Sequence, residues 1–202
     1  MGRVGLFDLE KHFAFYGAYH SNPVNIVIHV LFVWPIFFTA LLILYFTPSF
    51  FNIPNTEFSL FGNDVTLVWN VGFLGALIYA VFYACLDLKA GTLAAFLCMI
   101  CWIGSSFVAA RLGFSLAWKV VVVAQLVCWT GQFIGHGAFE KRAPALLDNL
   151  VQAFVMAPFF VLLEALQTLF NYEPYPGFRA RVEAKIEADI NEWKENKQKL
   201  VS

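Results

Sequence analysis

The sequence predicts an all-α polytopic membrane protein with four transmembrane helices, a re-entrant or interfacial segment and an amphipathic helix at each end. Composition is the first support, because 60% of the 202 residues are hydrophobic, only 13% are charged and mean hydropathy is +0.68. Apolar runs near the ~20 residues needed to cross a bilayer are the second. A net charge of −1 gives no reason to expect nucleic acid as a partner, and the lipid bilayer is the expected one.

Each predicted element has a signal in the sequence. Residues 6–20 mix aromatic and charged side chains, which indicates an amphipathic helix lying in the membrane interface. Ser21-Asn22-Pro23 then supplies a helix cap with proline at the first helical position, so the first span is predicted at 23–46. A loop rich in Pro, Asn and Phe follows over 47–64. Three further spans are predicted at 65–86, 92–110 and 114–134.

The distribution of Lys and Arg decides the topology, since these residues concentrate in cytosolic loops. Arg3 and Lys11 precede the first span, the 47–64 loop has neither residue type, and basic residues crowd the tail. With four spans, both termini face the cytosol. A fifth span over 150–170 would move the basic tail to the other side, so this run is predicted to be re-entrant or interfacial. Domain boundaries are predicted as a membrane-embedded domain at 1–176 and a polar cytosolic helix at 177–202.

All four histidines lie in two short polar islands, which this topology brings to one side of the membrane. The first island contains His12, His20 and His29, and the second contains His136. Histidine is the commonest metal ligand among side chains, and an ionisable residue at membrane depth usually marks a functional site. The four histidines are therefore candidate ligands of one metal ion.

Helical spacing adds polar neighbours to these histidines. Asn25 lies four residues before His29, and Gln132, His136 and Glu140 share a second stripe of the same spacing. Asn25 and Gln132 are expected to hydrogen-bond the ligands or a neighbouring helix, and Glu140 to complete or orient the metal shell. Gly131, Gly135 and Gly137 are expected to let another helix or a ligand approach closely.

Two cations follow the second island directly. Lys141 and Arg142 lie at the expected headgroup level, where either could anchor a fatty acid carboxylate. With Glu140 they form the candidate catalytic group outside the histidines. The simpler interpretation is a solvated helix end whose positive charge obeys the topology rule.

The metal and its role stay open at this stage. Histidine and carboxylate ligands with free positions favour non-haem Fe(II), and zinc is second. His12 could instead be an interfacial residue, His20 could brace the turn at Pro23, and His29 and His136 could be packing residues. Two other functions fit the same residues: a haem protein with axial histidines, and a non-enzymatic lipid-binding or transport protein with histidine proton relays.

Both islands resemble one known family. They read LEKHFAFYGAYHSNPVNIVIH over 9–29 and GHGAFEKRAPAL over 135–146. These segments resemble the fungal and plant 2-hydroxy fatty acid dioxygenases of α-oxidation, small endoplasmic-reticulum membrane proteins formerly described as a domain of unknown function. The resemblance covers about 6–170, and the family histidines correspond to His20, His29 and His136, with His12 also present.

The resemblance implies an Fe(II)-dependent enzyme that uses O2 to shorten a 2-hydroxy long-chain fatty acid by one carbon. In fungi this reaction serves breakdown of the long-chain base phytosphingosine. The domain at 1–176 would then be catalytic, the location would be the endoplasmic reticulum membrane, and the cofactor would be Fe(2+).

Overall fold

The structure is a computed structural model that describes residues 5–50, 53–60, 62–144 and 149–201, and it is mostly helical. The elements in chain order are α1 (Leu9–Ala18), α2 (Pro23–Leu44), β1 (Thr56–Leu60), β2 (Asn63–Leu67), α3 (Val71–Leu86), α4 (Leu88–Ile134), π-helices at Gly135–Glu140 and Gln152–Met156, α5 (Ala157–Phe170) and α6 (Phe178–Val201). The predicted helical class is thus confirmed, with one short hairpin added.

Among the described residues, three helical stretches are long and apolar enough to cross a membrane. They are Pro23–Leu44, Leu88–Glu140 and Gln152–Phe170, and Val71–Leu86 is apolar but shorter. The count of four spans therefore stays a prediction. Arg3, which entered the topology argument, lies outside the described residues.

The first span begins where the sequence predicted. The side chain of Asn22 accepts a hydrogen bond from the backbone N–H of Val24 at 2.9 Å, and Pro23 is the first helical residue. Asn22 therefore caps one of the N–H groups that a helix start leaves without a partner.

α4 reverses direction at Gly113. This glycine has φ +65° and ψ 162°, a backbone conformation that L side chains rarely adopt. Gly104 lies against the ring of Phe38, and Gln125 donates a hydrogen bond to the carbonyl of Ile36 at 2.9 Å. A straight helix would separate Gly104 from Gln125 by about 32 Å. Residues 88–112 and 114–134 therefore run antiparallel, like the predicted third and fourth spans.

The predicted 47–64 loop and the predicted helix start at residue 65 need correction. β1 and β2 pair antiparallel, with Thr56 opposite Leu67, so residue 65 lies in a strand and α3 begins at Val71. The alternation of buried Val65 and Leu67 around Thr66 is a strand pattern. Asn70 then caps α3 through Gly72 and Phe73.

The apolar segment that follows the second histidine island contacts α1 and the α3–α4 turn. At its start Gln152 hydrogen-bonds His12 of α1, and beyond its end the Tyr172 hydroxyl donates to Asp87 at the α3–α4 turn. Phe7, just before α1, packs on Phe82 near that same turn. Because Gln152–Phe170 is also long and apolar enough to cross a membrane, its predicted re-entrant or interfacial placement stays a prediction.

The polar tail forms α6, which packs along α1. Glu10 of α1 accepts hydrogen bonds from Arg181 at 2.9 Å, from Tyr175 at 2.8 Å and from Lys185. These hydrogen bonds lower the pKa of Glu10 to about 2, with Lys185 contributing most. Val182 is buried in this interface, as the predicted amphipathic pattern requires. The predicted boundary at residue 176 stays a prediction.

Candidate metal centre

Three of the four histidines meet in one buried cluster. His20 follows α1, His29 lies in α2, and His136 lies in the first π-helix. One ring nitrogen from each histidine lies within 4.8 Å of the others, and ring centroids are 4.3 to 4.9 Å apart. His20 is 8% exposed, and His29 and His136 are each 4% exposed. Such spacing suits three ligands around one metal ion.

Hydrogen bonds to backbone carbonyls determine which ring nitrogen of His20 and of His29 can bind a metal ion. Nδ1 of His20 lies 2.8 Å from the carbonyl of Tyr16, and Nδ1 of His29 lies 3.0 Å from the carbonyl of Asn25. A carbonyl can only accept, so each Nδ1 carries the hydrogen and each Nε2 keeps its lone pair. This arrangement, in which one ring N–H is held by a carbonyl, is typical of metal-binding histidines.

Two ring nitrogens in the cluster lack partners. Nε2 of His20 and Nδ1 of His136 are buried, and neither has a hydrogen-bond partner among the described residues. Buried polar atoms are nearly always paired, so each orphan requires an explanation. A metal ion that both nitrogens coordinate would supply the missing partner.

The protonation state of His20 also suits a metal. Burial lowers the pKa of His20 well below its ordinary value of 6.5, and the neighbouring His29 and His136 rings lower it further. The imidazole is therefore neutral at physiological pH, which is the form that binds metal ions.

Close helix packing brings the second island to the first. A Cβ at Gly135 would collide with the side-chain oxygen of Asn25, and one at Gly131 would collide with the ring of Phe32. The expected role of these two glycines is thus confirmed, whereas a Cβ at Gly137 would meet open space. The π-helix that carries His136 is a rare geometry that often occurs at functional sites.

The structure does not bring His12 into the cluster. Its Nε2 lies 3.2 Å from the carbonyl of Gly5, and its Nδ1 lies 2.8 Å from the side-chain nitrogen of Gln152. Both ring nitrogens therefore have partners in the protein. His12 ties α1 to the helical segment that begins at Gln152 instead of joining the candidate ligands.

Glu140 holds the turn before α2 and lies outside the histidine group. Its carboxylate accepts from Ser21 N–H at 3.0 Å and Ser21 Oγ at 2.5 Å, and also from Asn22 N–H at 3.0 Å and Asn25 Nδ2 at 3.1 Å. A negative charge at a helix N-terminus is favourable. Of the two predicted roles, the geometry fits orientation, because Glu140 holds Asn25, whose carbonyl in turn holds His29.

Comparison with known proteins agrees with this geometry. A family model described as 2-hydroxy-palmitic acid dioxygenase Mpo1-like matches residues 6–169. The 2-hydroxy-palmitic acid dioxygenase MPO1 of Saccharomyces cerevisiae is 34% identical over 186 residues, which cover 92% of this chain and 91% of that protein. The chain belongs to the Mpo1-like family. No solved structure matches it.

The Mpo1-like match includes both histidine islands and stops before α6. This extent confirms the resemblance that the sequence suggested over about 6–170. Residues 145 and 146, the end of the second quoted motif, lie outside the described residues.

The two cations of this Mpo1-like chain differ in their surroundings. The Arg142 guanidinium donates to the carbonyl of Ala18 at 2.8 Å and to Asp189 of α6 at 3.1 Å, and it stacks 3.7 Å from the centre of the Tyr19 ring. The Lys141 side chain is exposed and makes no hydrogen bond or ion pair with the described part of the chain. Arg142 is therefore held by the protein, and Lys141 is the cation available to a ligand.

A pocket opens beside the three histidines. The space between its walls is about 580 Å³, a figure that includes open solvent. Its walls include Gln132, Trp129 and Phe160. Gln132 is buried there, as expected for a residue beside the ligands, although it donates no hydrogen bond to them.

Sequence reasoning missed one residue of this centre. Tyr16 stacks on His20 with ring centroids 4.1 Å apart, and its carbonyl orients that histidine. The sequence did contain a signal for Tyr16, because Tyr16 precedes His20 by four residues, the same spacing that separates Asn25 from His29. Its buried hydroxyl has no hydrogen-bond partner among the described residues.

Proposed function

We propose that this chain is a non-haem Fe(II) dioxygenase that uses O2 to shorten 2-hydroxy long-chain fatty acids by one carbon. This reaction would serve fatty acid α-oxidation and the breakdown of sphingoid long-chain bases. The observation that carries the proposal is the buried histidine cluster with its unpartnered nitrogens. The substrate class comes from the yeast relative, whose name is 2-hydroxy-palmitic acid dioxygenase.

The chain's own residues would hold the ion and set its surroundings. His20 and His29 would bind through Nε2, because their Nδ1 atoms are used by carbonyls, and His136 would supply the third nitrogen. Bound there, Fe(II) would supply one-electron chemistry with O2 and free positions for the oxygens of the 2-hydroxy acid. Trp129, Phe133 and Phe160 line the pocket and would exclude bulk water from the reacting groups.

Lys141 is the proposed contact for the substrate carboxylate. It follows the π-helix that carries His136, its side chain is exposed, and Arg142 is already occupied by Ala18 and Asp189. A lysine ammonium is a flexible point charge that can follow a carboxylate at the membrane surface.

The geometry favours iron bound directly over a haem. The three imidazole rings contact one another edge to face, with centroids less than 5 Å apart. Axial histidines of a haem must lie on opposite faces of the macrocycle, which would separate these rings. A purified sample with a strong Soret band would contradict this proposal.

We further propose residence in the endoplasmic reticulum membrane with both termini in the cytosol. The basis is the Lys and Arg distribution, together with the hydrogen bonds of Gln152 to His12 and of Tyr172 to Asp87. Protease should remove tags from either terminus in sealed microsomes. Protection of a C-terminal tag would contradict the re-entrant segment.

The activity can be tested on purified, metal-depleted protein. Fe(II) should restore O2 consumption and release of a fatty acid one carbon shorter from a 2-hydroxy acid, whereas Zn(II) should not. His12→Ala is the matched control, because it removes a histidine that lies outside the cluster. Restored turnover by Zn(II) would contradict an oxygen-using enzyme, since zinc is not redox-active.

A further inference from the structure

A second pocket continues from the one beside the histidines. The two share Trp129, Gln132, Ala153 and Ala157 in their walls. The second pocket has an empty volume of about 470 Å³ and reaches Ala40 of α2. The second pocket thus continues the first from the candidate metal centre toward Ala40, and we refer to the two together as the passage.

The passage follows one face of α2. His29 lies at its start, and Val33, Ile36, Phe37 and Ala40 follow at spacings of three and four residues. At 1.5 Å per residue, Ala40 lies about 16 Å from His29 along the helix axis. The passage is therefore long, and its polar end is the histidine cluster.

The opposite wall owes its shape to Pro158. Proline has no N–H, so the carbonyl of Phe154, four residues earlier, lacks its usual helical donor. The Tyr79 hydroxyl donates to this carbonyl at 3.0 Å, and the Tyr83 hydroxyl donates to the next carbonyl, that of Val155, at 2.6 Å. These bonds hold the π-helical turn against α3.

The lining of the second pocket is apolar apart from Gln132 and the hydroxyl of Tyr79, and that hydroxyl is already occupied by Phe154. Trp129 stands where the two pockets meet, and its indole N–H donates to Gln125 at 2.9 Å. The ligand that fits has one polar end and one long unbranched apolar chain.

We propose that this passage holds the acyl chain of the substrate and that Ala40, at its deep end, limits the chain length. The inference rests on the proposed function and adds the residues that select among 2-hydroxy fatty acids. Ala40 has the smallest side chain along this face of α2, so a larger residue there shortens the space for the terminal methylenes.

The first test compares chain-length profiles. The variant Ala40→Phe should lower kcat/KM for the longest 2-hydroxy acids at least ~10-fold and leave the shortest within about twofold, since each excluded methylene has a 10- to 200-fold effect. Val123→Phe is the control, because Val123 is 62% exposed on the outer face of α4, close to Gln125. An unchanged profile in Ala40→Phe would overturn the inference, whereas wild-type protein inactive on every chain length would instead overturn the proposed function.

A second test needs neither turnover nor a variant. A 2-hydroxy fatty acid with a diazirine near its methyl end is irradiated with wild-type protein without O2, and labelled peptides are identified by mass spectrometry. Labels should fall on residues 33–40 and 153–158. Labels on the outer face of α4 or on α6 would contradict the passage, even if the enzyme proves active.

Discussion

The histidine cluster and the charged residues near it, Glu140 and Arg142, are both polar regions in an apolar chain. They differ in whether their polar atoms have hydrogen-bond partners in the protein. His20 and His136 each keep a buried ring nitrogen without a partner among the described residues. Glu140, by contrast, accepts four hydrogen bonds, and Arg142 is held by a carbonyl, a carboxylate and an aromatic ring. The first region is prepared for a ligand that is not protein, and the second holds the protein together.

This difference separates function from support. An unpartnered buried nitrogen is unfavourable unless something binds it, whereas a carboxylate with several donors has a sufficient structural role. His12 belongs with the second region, because both its ring nitrogens have protein partners. Substitutions in the two regions should therefore affect different measurements.

The largest effect is expected within the cluster. His29→Ala and His136→Ala should abolish turnover of 2-hydroxy acids while the protein still inserts, since each removes one of three ligands. His12→Ala should keep most activity and lose roughly 0.5–1.5 kcal/mol of stability for each hydrogen bond removed. Kinetics on detergent-purified variants would check this, and equal, total loss for all four histidines would place His12 among the ligands.

Substitution of Glu140 should mainly lower stability, in contrast to substitution of the histidines in the cluster. Glu140→Ala leaves donors at Ser21, Asn22 and Asn25 without their acceptor, so unfolding free energy should fall by roughly 1–3 kcal/mol or more. Glu140→Gln should be milder, because an amide oxygen can still accept. Thermal unfolding and metal content per folded molecule would be measured together. Loss of metal without loss of stability would make Glu140 a ligand.

Substitutions of Lys141 and Arg142 should have different effects on KM. Lys141→Met should raise KM by an amount that corresponds to roughly 1.5–3 kcal/mol, the range for hydrogen bonds to charged groups. Arg142→Met should leave KM unchanged and make α6 more sensitive to protease, since it breaks the contact with Asp189. If both variants keep wild-type kcat and KM, the substrate carboxylate must be held by the metal alone.

The smallest effect concerns pH at the α1–α6 contact. The pKa of Glu10 is lowered from 4.5 to about 2, mainly by Lys185 and Arg181, so the contribution is complete above 4.5 and is lost as pH falls through about 2. Protease sensitivity of α6 should rise over that window and should do so less in Glu10→Gln. The Arg181 and Lys185 side chains are about half exposed, so a modest change is expected. The same pH profile in both proteins would rule out this contact as its cause.

Much of the site could be predicted because it depends on local spacing and on topology. The positions of Lys and Arg between the apolar runs predicted that His20, His29 and His136 lie on one side of the membrane. Their meeting in the structure agrees with that prediction. The start of α2 was equally readable, because Asn22-Pro23 is a local signal.

The parts that could not be predicted depend on distant partners. Nothing in the sequence near Glu140 indicates that it binds the turn before a helix more than a hundred residues earlier. Nothing near His12 indicates a hydrogen bond to Gln152. The hairpin was missed for a different reason, since the short alternation at Val65–Leu67 also resembles the start of an apolar helix. The number of membrane crossings and the bound metal stay predictions.

The central claim, that one iron ion binds to three of the four histidines, is tested most directly by elemental analysis of purified protein. Wild-type protein and His12→Ala should each contain close to one iron per chain after reconstitution with Fe(II), and His29→Ala should contain only background. Wild-type protein without metal above background, or His29→Ala with full iron content, would contradict the account.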